Sequence, residues 1–332
     1  MKQSSMGMTI YYSVQQGTVT IHQCLTDQTD IVLPNQIQGM PVTKIGAYAF
    51  SSPEGLSKAT GELQLIQLSG ELGFQESALP LCGKNLTSIQ LPETITQIGD
   101  YAFFNCINLQ YVSMPGNMQE IGGGAFQNCE SLTTIELTNI NGQETCLKSI
   151  ITDIQHEVDV LLHYNNGMYG VPRQAKLTFP QYFEETIENA PARIFEWFAR
   201  GSGYRYRQCF LDGSINYREY DSLLPVAKAE DNEKTVAKIA MERIRYPYQL
   251  SESAQEQYMQ YLKEHNRFIC QLAIQNDWAE CIEFMVQNHL MGPEDVDYAI
   301  TLANKSQRGE ILSFLMDYRH THFQKQEKSF EL

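Results

Sequence analysis

Four sets of residues have types and spacing that bear on chemistry. Residues 121–129 read IGGGAFQNC. Consecutive glycines between a strand and a helix let backbone N–H groups cradle a phosphate, with Lys and Ser/Thr following them. No Gly-Lys-Ser/Thr follows here, which argues against a nucleotide loop. Residues 200–210, RGSGYRYRQCF, gather three arginines, two tyrosines and two glycines. A guanidinium beside an aromatic face forks onto a carboxylate or phosphate, so Tyr204, Arg205, Tyr206 and Arg207 are the candidate anion contacts. The competing reading is a helix end followed by a strand whose arginines pair with Asp212, Glu219 or Asp221. The eight cysteines (Cys24, Cys82, Cys106, Cys129, Cys146, Cys209, Cys270 and Cys281) form no C-x-x-C pair, and no His stands at zinc-finger spacing. No metal and no cofactor are predicted. Cys209 lies near Arg207, an arrangement that lowers a thiol pKa, but burial is the reading expected for it. The carboxylate pair Glu184-Glu185 falls on a predicted solvated helix face. None of these sets specifies a catalytic pocket, and the chain is predicted not to be an enzyme.

The elements around the glycines explain them. LTSIQLPETITQIGDYAFFNCIN (residues 86–108) and LQYVSMPGNMQEIGGGAFQNCES (109–131) align without a gap at a period of 23 residues. Leu86/Leu109, Ile89/Val112, Pro92/Pro115, Ile98/Ile121, Gly99/Gly122, Ala102/Ala125, Phe103/Phe126, Asn105/Asn128 and Cys106/Cys129 coincide. LTTIEL at 132–137 starts the next unit, and LQLIQL at 63–68 is read as the unit before. Each L-x-x-I-x-L supplies a short strand with one apolar side, Pro ends the ladder, and the Phe fills the coil. No unit buries that side alone, so successive units stack into a solenoid. Gly123 and Gly124 stand where the sister unit has Asp100 and Tyr101, which makes them surface substitutions. Cys82, Cys106 and Cys129 become an interior ladder.

The I-G-x-x-A-F-x-x-C-x-x-L unit resembles the BspA-type (Treponema pallidum-type) bacterial leucine-rich repeats. GTVTIHQCLTDQTDIVLPNQIQGMPVTKIGAYAF (17–50) resembles that family's first unit, in which a hairpin leads into a longer turn. The resemblance covers roughly residues 9–140, and SSPEGLSKATGE (51–62) loosens it between the first and second units. It implies a solenoid and, since family members are often surface proteins, an adhesin. Outward positions of the L-x-x-I-x-L strands form the candidate partner-binding sheet: Leu65 and Gln67, Ser88 and Gln90, Tyr111 and Ser113, Thr134 and Glu136.

Past Leu137 the period fails. VDVLLHY (158–164) and AKLTFP (175–180) read as strands around NNGMYGVP and are expected to cap the solenoid. Asn189 suits a helix cap and Pro191 a first helical position, so residues 191–200 are predicted to be a helix burying Ile194, Phe195, Trp197 and Phe198. From about Tyr220 the pattern is helical. LAIQNDWAECIEFMVQN (272–288) and LANKSQRGEILSFLMDY (302–318) lie thirty residues apart and are similar to degenerate ankyrin-type helical hairpins. AMERIRYPYQLSESAQEQYMQYLKEH (240–265) is an earlier, more divergent pair, and QKQEKSFEL a frayed tail.

The predicted fold is therefore an α+β repeat protein. A leucine-rich β-solenoid with an N-terminal hairpin spans 1–144. A capping region of strands and a short helix spans 145–220, an all-α ankyrin-like domain 221–325, and the tail 326–332. Lys and Arg number 24 against 39 Asp and Glu, a net charge of −15 in 332 residues. That balance disfavours nucleic acid and anionic membrane as partners. No stretch is apolar enough to insert in a membrane. MKQSSMGMTIYYSVQQG does not read as a secretory leader, which predicts a cytoplasmic chain with reduced thiols. Two repeat modules together predict a non-enzymatic scaffold that binds a protein or peptide. A surface adhesin is the first alternative, and a ligand sensor or enzyme using residues 200–210 the second. Oligomeric state is not encoded in these patterns.

Overall fold

The computed structural model describes residues 7–68, 79–165, 173–189 and 193–323. The turn NNGMYGVP, Pro191 and the tail lie largely or wholly outside them. The chain forms two compact units, Met1–Asp231 and Asn232–Leu332.

The first unit opens with a hairpin of β1 (Met8–Gln15) and β2 (Thr18–Leu25). Gln16 and Gly17 both take positive φ, as a two-residue hairpin turn requires. β3 (Asp30–Val32), β4 (Gln36–Ile37) and β5 (Met40–Ile45) make the first coil. Then come β6 (Gln64–Leu68), β7 (Ser88–Gln90), β8 (Gln97–Ile98), β9 (Tyr111–Pro115), β10 (Glu120–Ile121) and β11 (Thr134–Ile140). Each of the three coils from β3 to β10 contributes one strand to each of two sheets. One sheet runs β10-β8-β5-β2-β1-β6 with β4 beside β5, and the other runs through β11-β9-β7-β3. Between the coils the pairing is parallel: β3 with β7, β7 with β9, β9 with β11, β5 with β8, and β8 with β10.

The predicted repeat is present, with one correction. LQLIQL is not a coil of the solenoid; it is β6, antiparallel to β1 at the edge of the hairpin sheet. The strand that precedes β7 in the stack is β3, from Asp30–Val32. The 23-residue register misses it because residues 51–81 are inserted between Phe50 and Cys82. The aromatic ladder marks the true order. Phe50 and Phe103 stack at 5.2 Å, and Phe103 and Phe126 at 5.0 Å.

The coils approach each other so closely that the first glycine of each I-G is compulsory. A Cβ on Gly122 would lie 2.3 Å from the Asp100 amide nitrogen, and one on Gly99 2.5 Å from that of Ala47. Gly124 is different: it occupies a positive-φ position (61°) that Tyr101 and Tyr48 also adopt, at 54° and 58°. Cys106 and Cys129 are buried and donate to the carbonyls of Phe50 and Phe103. All eight thiols are buried, and none is in a disulfide.

Past β11 the sheet continues through two further strands. After a short helix α1 (Leu147–Ile151), β12 (Val158–Tyr164) pairs parallel with β11, and β13 (Arg173–Phe179) antiparallel with β12. β14 (Phe183–Asn189) and β15 (Ile194–Arg200) follow as a separate two-stranded sheet. Within the predicted helix at 191–200, residues 194–200 are thus a strand, Phe195, Trp197 and Phe198 are exposed rather than buried, and the Ile194 side chain lies outside the described residues. Their spacing fits a helical stripe, but it fits a strand apolar on both faces equally well. α2 (Gly203–Tyr206), α3 (Tyr217–Ser222) and α4 (Leu224–Glu230) complete the unit. Tyr220, on α3, closes the edge of β13: its hydroxyl donates to the Thr178 carbonyl and accepts from the Thr178 amide.

The second unit is helical: α5 (Glu233–Arg245), α6 (Glu252–Glu264), α7 (Asn266–Gln275), α8 (Ala279–Gln287), α9 (Pro293–Lys305) and α10 (Gly309–His322). Asn232 and Ser251 cap α5 and α6 through their side chains. The sequence repeat has a geometric counterpart. Asp277 and Gln307 both take positive φ. In the same turns the Trp278 amide bonds Ala273 O and the Arg308 amide bonds Ala303 O. Among the described residues no helix is long and apolar enough to cross a membrane.

Candidate functional site

Parallel stacking in register places equivalent residues of successive coils side by side on the outer face of β3, β7, β9, β11, β12 and β13. Asp30, Ser88, Tyr111, Thr134, Asp159 and Thr178 form one row across all six strands. Val32, Gln90, Ser113, Glu136, Leu161 and Lys176 form the next. Six of the seven sequence-predicted face residues (Ser88, Gln90, Tyr111, Ser113, Thr134, Glu136) therefore lie in two adjoining rows. Gln67 does not: it is exposed on β6 in the other sheet, because LQLIQL is not a coil.

Four side chains at the β9–β13 end are tied into one network. Glu136 accepts from the Tyr111 hydroxyl through Oε2 and from His163 Nε2 through Oε1, the latter at 2.6 Å. Gln174 Nε2 donates to His163 Nδ1 at 3.1 Å. With Nδ1 accepting, the imidazole proton sits on Nε2 and points at the carboxylate. Burial, and then the bond to Glu136, push the Tyr111 phenol up to about 12. A carboxylate engaged on both oxygens holds its two donors in fixed positions, so the network orders this part of the face. His163, Gln174 and Asp159 were not among the predicted face residues. The alternation in VDVLLHY carries the signal, since Val158, Val160 and Leu162 point inward and the residues between them must point outward.

The arginine–tyrosine stretch is a mount, not an open anion site. Residues 203–206 are helical, whereas the sequence suggested a strand. Arg207 is buried, and its guanidinium donates to the carbonyls of Ile151, Ile154, Pro180, Gly203 and His156. Desolvation holds its pKa down at about 10. Every nitrogen of the fork already has an acceptor, so an external anion would find only Arg205, which pairs with Glu230 at 3.4 Å, and Arg200, which pairs with Glu185 at 2.6 Å. Tyr206 is buried against Tyr220. Tyr204 contacts Tyr182 and Trp197 at ring separations of 5.8 and 5.0 Å, and Arg207 lies 4.9 Å over Tyr182. The chain Arg207–Tyr182–Tyr204–Trp197 thus anchors β15 to the body of the unit.

In IGGGAFQNC the amide of Gly123 already donates to Asp100 Oδ1 at 2.9 Å. A carboxylate stands where a phosphate oxygen would be, as surface substitution implies. Cys209 is buried, and burial raises its thiol to about 12, the reverse of a thiolate nucleophile. Among the described residues no cluster of three or more His, Cys, Asp or Glu is placed to hold a metal ion.

A family model for the BspA type leucine rich repeat region matches residues 75–150 in 6 copies. Two solved structures are similar. One is a leucine rich cell surface protein from Faecalibacterium prausnitzii A2-165, 24% identical, with a TM-score of 0.26 over 41% of this chain and 32% of that one. The other is the T. pallidum leucine rich repeat protein TpLRR, 22% identical, with a TM-score of 0.18 over 39% of this chain and 70% of that one. The chain spans about a third of the length of the Faecalibacterium protein. No curated protein sequence matches it.

Proposed function

Residues 75–150 being a BspA-type leucine-rich repeat region, we propose that the chain is a non-enzymatic scaffold that binds a protein or peptide on the outer face of β3, β7, β9, β11, β12 and β13. The observation that carries this is the pair of rows across six strands, with Tyr111, Glu136, His163 and Gln174 fixed by their own hydrogen bonds. A face whose side chains are already ordered gives up little conformational entropy on binding. Small hydroxyl and amide groups beside one aromatic ring suit a polypeptide surface better than a small molecule. Display as an adhesin would use the same face in another location.

The test is capture from source-cell extract on immobilised protein, with native chain and with Tyr111→Ala/Glu136→Ala. The reading expects at least one protein retained by the native chain and lost by the double variant. If every retained protein is held equally by both, the face is not the binding surface. Arg205→Ala serves as a control and is expected to change nothing.

A further inference from the structure

The other sheet of the first unit carries a cavity of its own. Cross-strand register lines up Ser13, Thr20, Lys44, Gln97 and Glu120 as one row over β1, β2, β5, β8 and β10. Two residues further along the last four of these strands stand His22, Gly46, Gly99 and Gly122. The three glycines leave bare backbone, and between the two rows lies a cavity of about 230 Å³. His22 is the extra residue of a β-bulge: Tyr11 pairs with Gln23 and Tyr12 with Ile21, so His22 has no cross-strand partner on β1. A bulge re-aims a side chain, and here the imidazole turns to Ser13, whose hydroxyl lies 2.9 Å from Nε2. Burial, and then the charge on Lys44, hold the imidazole below its usual value. It is therefore neutral at pH 7, and the Ser13 hydroxyl keeps capacity for a further hydrogen bond.

The insertion that loosens the repeat supplies a wall. Its 3₁₀ helix (Pro53–Lys58) is fixed to the first coil. Gln23 Nε2 donates to the Pro53 carbonyl at 3.1 Å, and a Cβ on Gly55 would lie 2.2 Å from the Tyr48 carbonyl oxygen. Past Lys58 the chain turns over Ser13: Gly61 takes φ +91°, and a Cβ there would lie 3.4 Å from that of Ser13. Charge then divides the cavity. Lys44 and Lys58 stand at the end of Ser13 and His22, and Asp100 and Glu120 at the β8–β10 end. Among the described residues the side chains of Lys44, Lys58 and Glu120 make no ion pair or hydrogen bond, and Asp100 accepts only from the Gly123 amide. Lys44 is half-buried all the same, and an ammonium withdrawn from water without an acceptor is costly.

We propose that this cavity binds a free α-amino acid, with its carboxylate between Lys44, Lys58 and the Ser13 hydroxyl and its ammonium toward Asp100 and Glu120. A simple anion would meet two carboxylates in a chain of net charge −15, and a simple cation would meet two ammonium groups. A ligand that carries both charges complements both ends. Size agrees: the volume lies below the ~300–1,000 Å³ of pockets for drug-sized molecules. The site is on a different sheet from the proposed protein-binding face and does not depend on it.

Isothermal titration of the full chain with each common L-amino acid, from about 1 μM to 10 mM, tests this directly. At least one is expected to bind. Its N-acetyl form, which lacks the ammonium, and its methyl ester, which lacks the carboxylate, should each bind at least about tenfold more weakly. Lys44→Met/Lys58→Met should weaken the free amino acid to a similar degree. Glu120→Gln should weaken the free amino acid and leave the N-acetyl form unchanged. Far-UV circular dichroism checks that each variant is folded, and Lys58→Met alone, at an exposed position, carries the test if Lys44→Met disturbs the sheet. Tyr111→Ala/Glu136→Ala should bind the amino acid like the native chain, so this inference and the sheet-face reading fail separately. No binding at the highest concentration overturns the proposal. So does an N-acetyl form held as tightly as the free amino acid, which would make the cavity an anion site, or binding that the lysine variants leave intact.

Discussion

Two regions of the first unit use the same side chains to opposite ends. In the coils, Phe50, Phe103 and Phe126 are fully buried and stacked face to face. In the hairpin, Phe195 and Phe198 stand in solvent. Both segments are rich in aromatics, so composition does not separate them. What differs is repetition: a coil has a neighbour carrying the same ring at the same register, and among the described residues the hairpin has none. Phe103→Ala should therefore cost about 3–5 kcal/mol, read as a lower urea midpoint, because it opens a hole between two rings. Phe195→Ala should change stability by less than about 0.5 kcal/mol. Equal losses at the two sites would mean that the hairpin is packed within the monomer, and the contrast would collapse.

The same contrast separates two arginines that are neighbours but one in sequence. Arg207→Met removes a guanidinium from five carbonyls and leaves several of them buried without a donor, a loss of about 2–4 kcal/mol. Arg205→Ala removes one exposed ion pair and should cost under about 1 kcal/mol. Chemical denaturation of the two variants in parallel gives the comparison. A larger loss at Arg205 would show that the surface pair, not the carbonyl cage, holds the hairpin mount.

The glycines of IGGGAF provide a third, smaller step. Gly122→Ala forces a methyl against the backbone of the neighbouring coil and should cost about 1–3 kcal/mol. At Gly123 the nearest atom to a new Cβ is 4.0 Å away, and the alanine variant should fall within about 0.5 kcal/mol of the native chain. Thermal melting resolves the pair; equal melting temperatures would contradict the close stacking of coils.

How much of this was legible in the sequence follows from the same physics. Residues 86–137 could be read because each apolar position is written more than once, so a stacked core shows as a period. The outward rows followed by subtraction: Ser88, Gln90, Tyr111, Ser113, Thr134 and Glu136 share the face of β7, β9 and β11, although Ser113 is buried there. LQLIQL failed because it obeys the strand pattern without the coil that should follow, and an edge strand on a hairpin needs nothing more. Residues 194–200 failed because Ile194, Phe195, Trp197 and Phe198 satisfy both a 3.6-residue stripe and a strand buried on two faces. The pattern cannot say which of the two elements forms. Arg207 was misread for a related reason: carbonyl acceptors come from backbone, which leaves no mark in the sequence.

The smallest expected effect tests whether the face network contributes to the solenoid or merely decorates it. Tyr111 donates to Glu136, and its phenol stands near 12, above the usual value of about 10. A folded pKa above the unfolded one means that the contribution is whole below about pH 10 and is lost as pH rises toward 12. Tyr111 is half-exposed, so water screens the bond, and its contribution should stay below about 1 kcal/mol. The buried thiols of Cys24, Cys129 and Cys146, also raised to about 12, destabilise the native chain and a Tyr111→Phe variant alike as pH climbs past about 9. The difference between the two proteins therefore isolates the phenol. It should be constant from pH 7 to 9, with the native chain the more stable, and should vanish by pH 12. No difference between the two proteins at any pH would mean that the ring and not the hydroxyl matters, and the row would be held by packing like the coils beneath it.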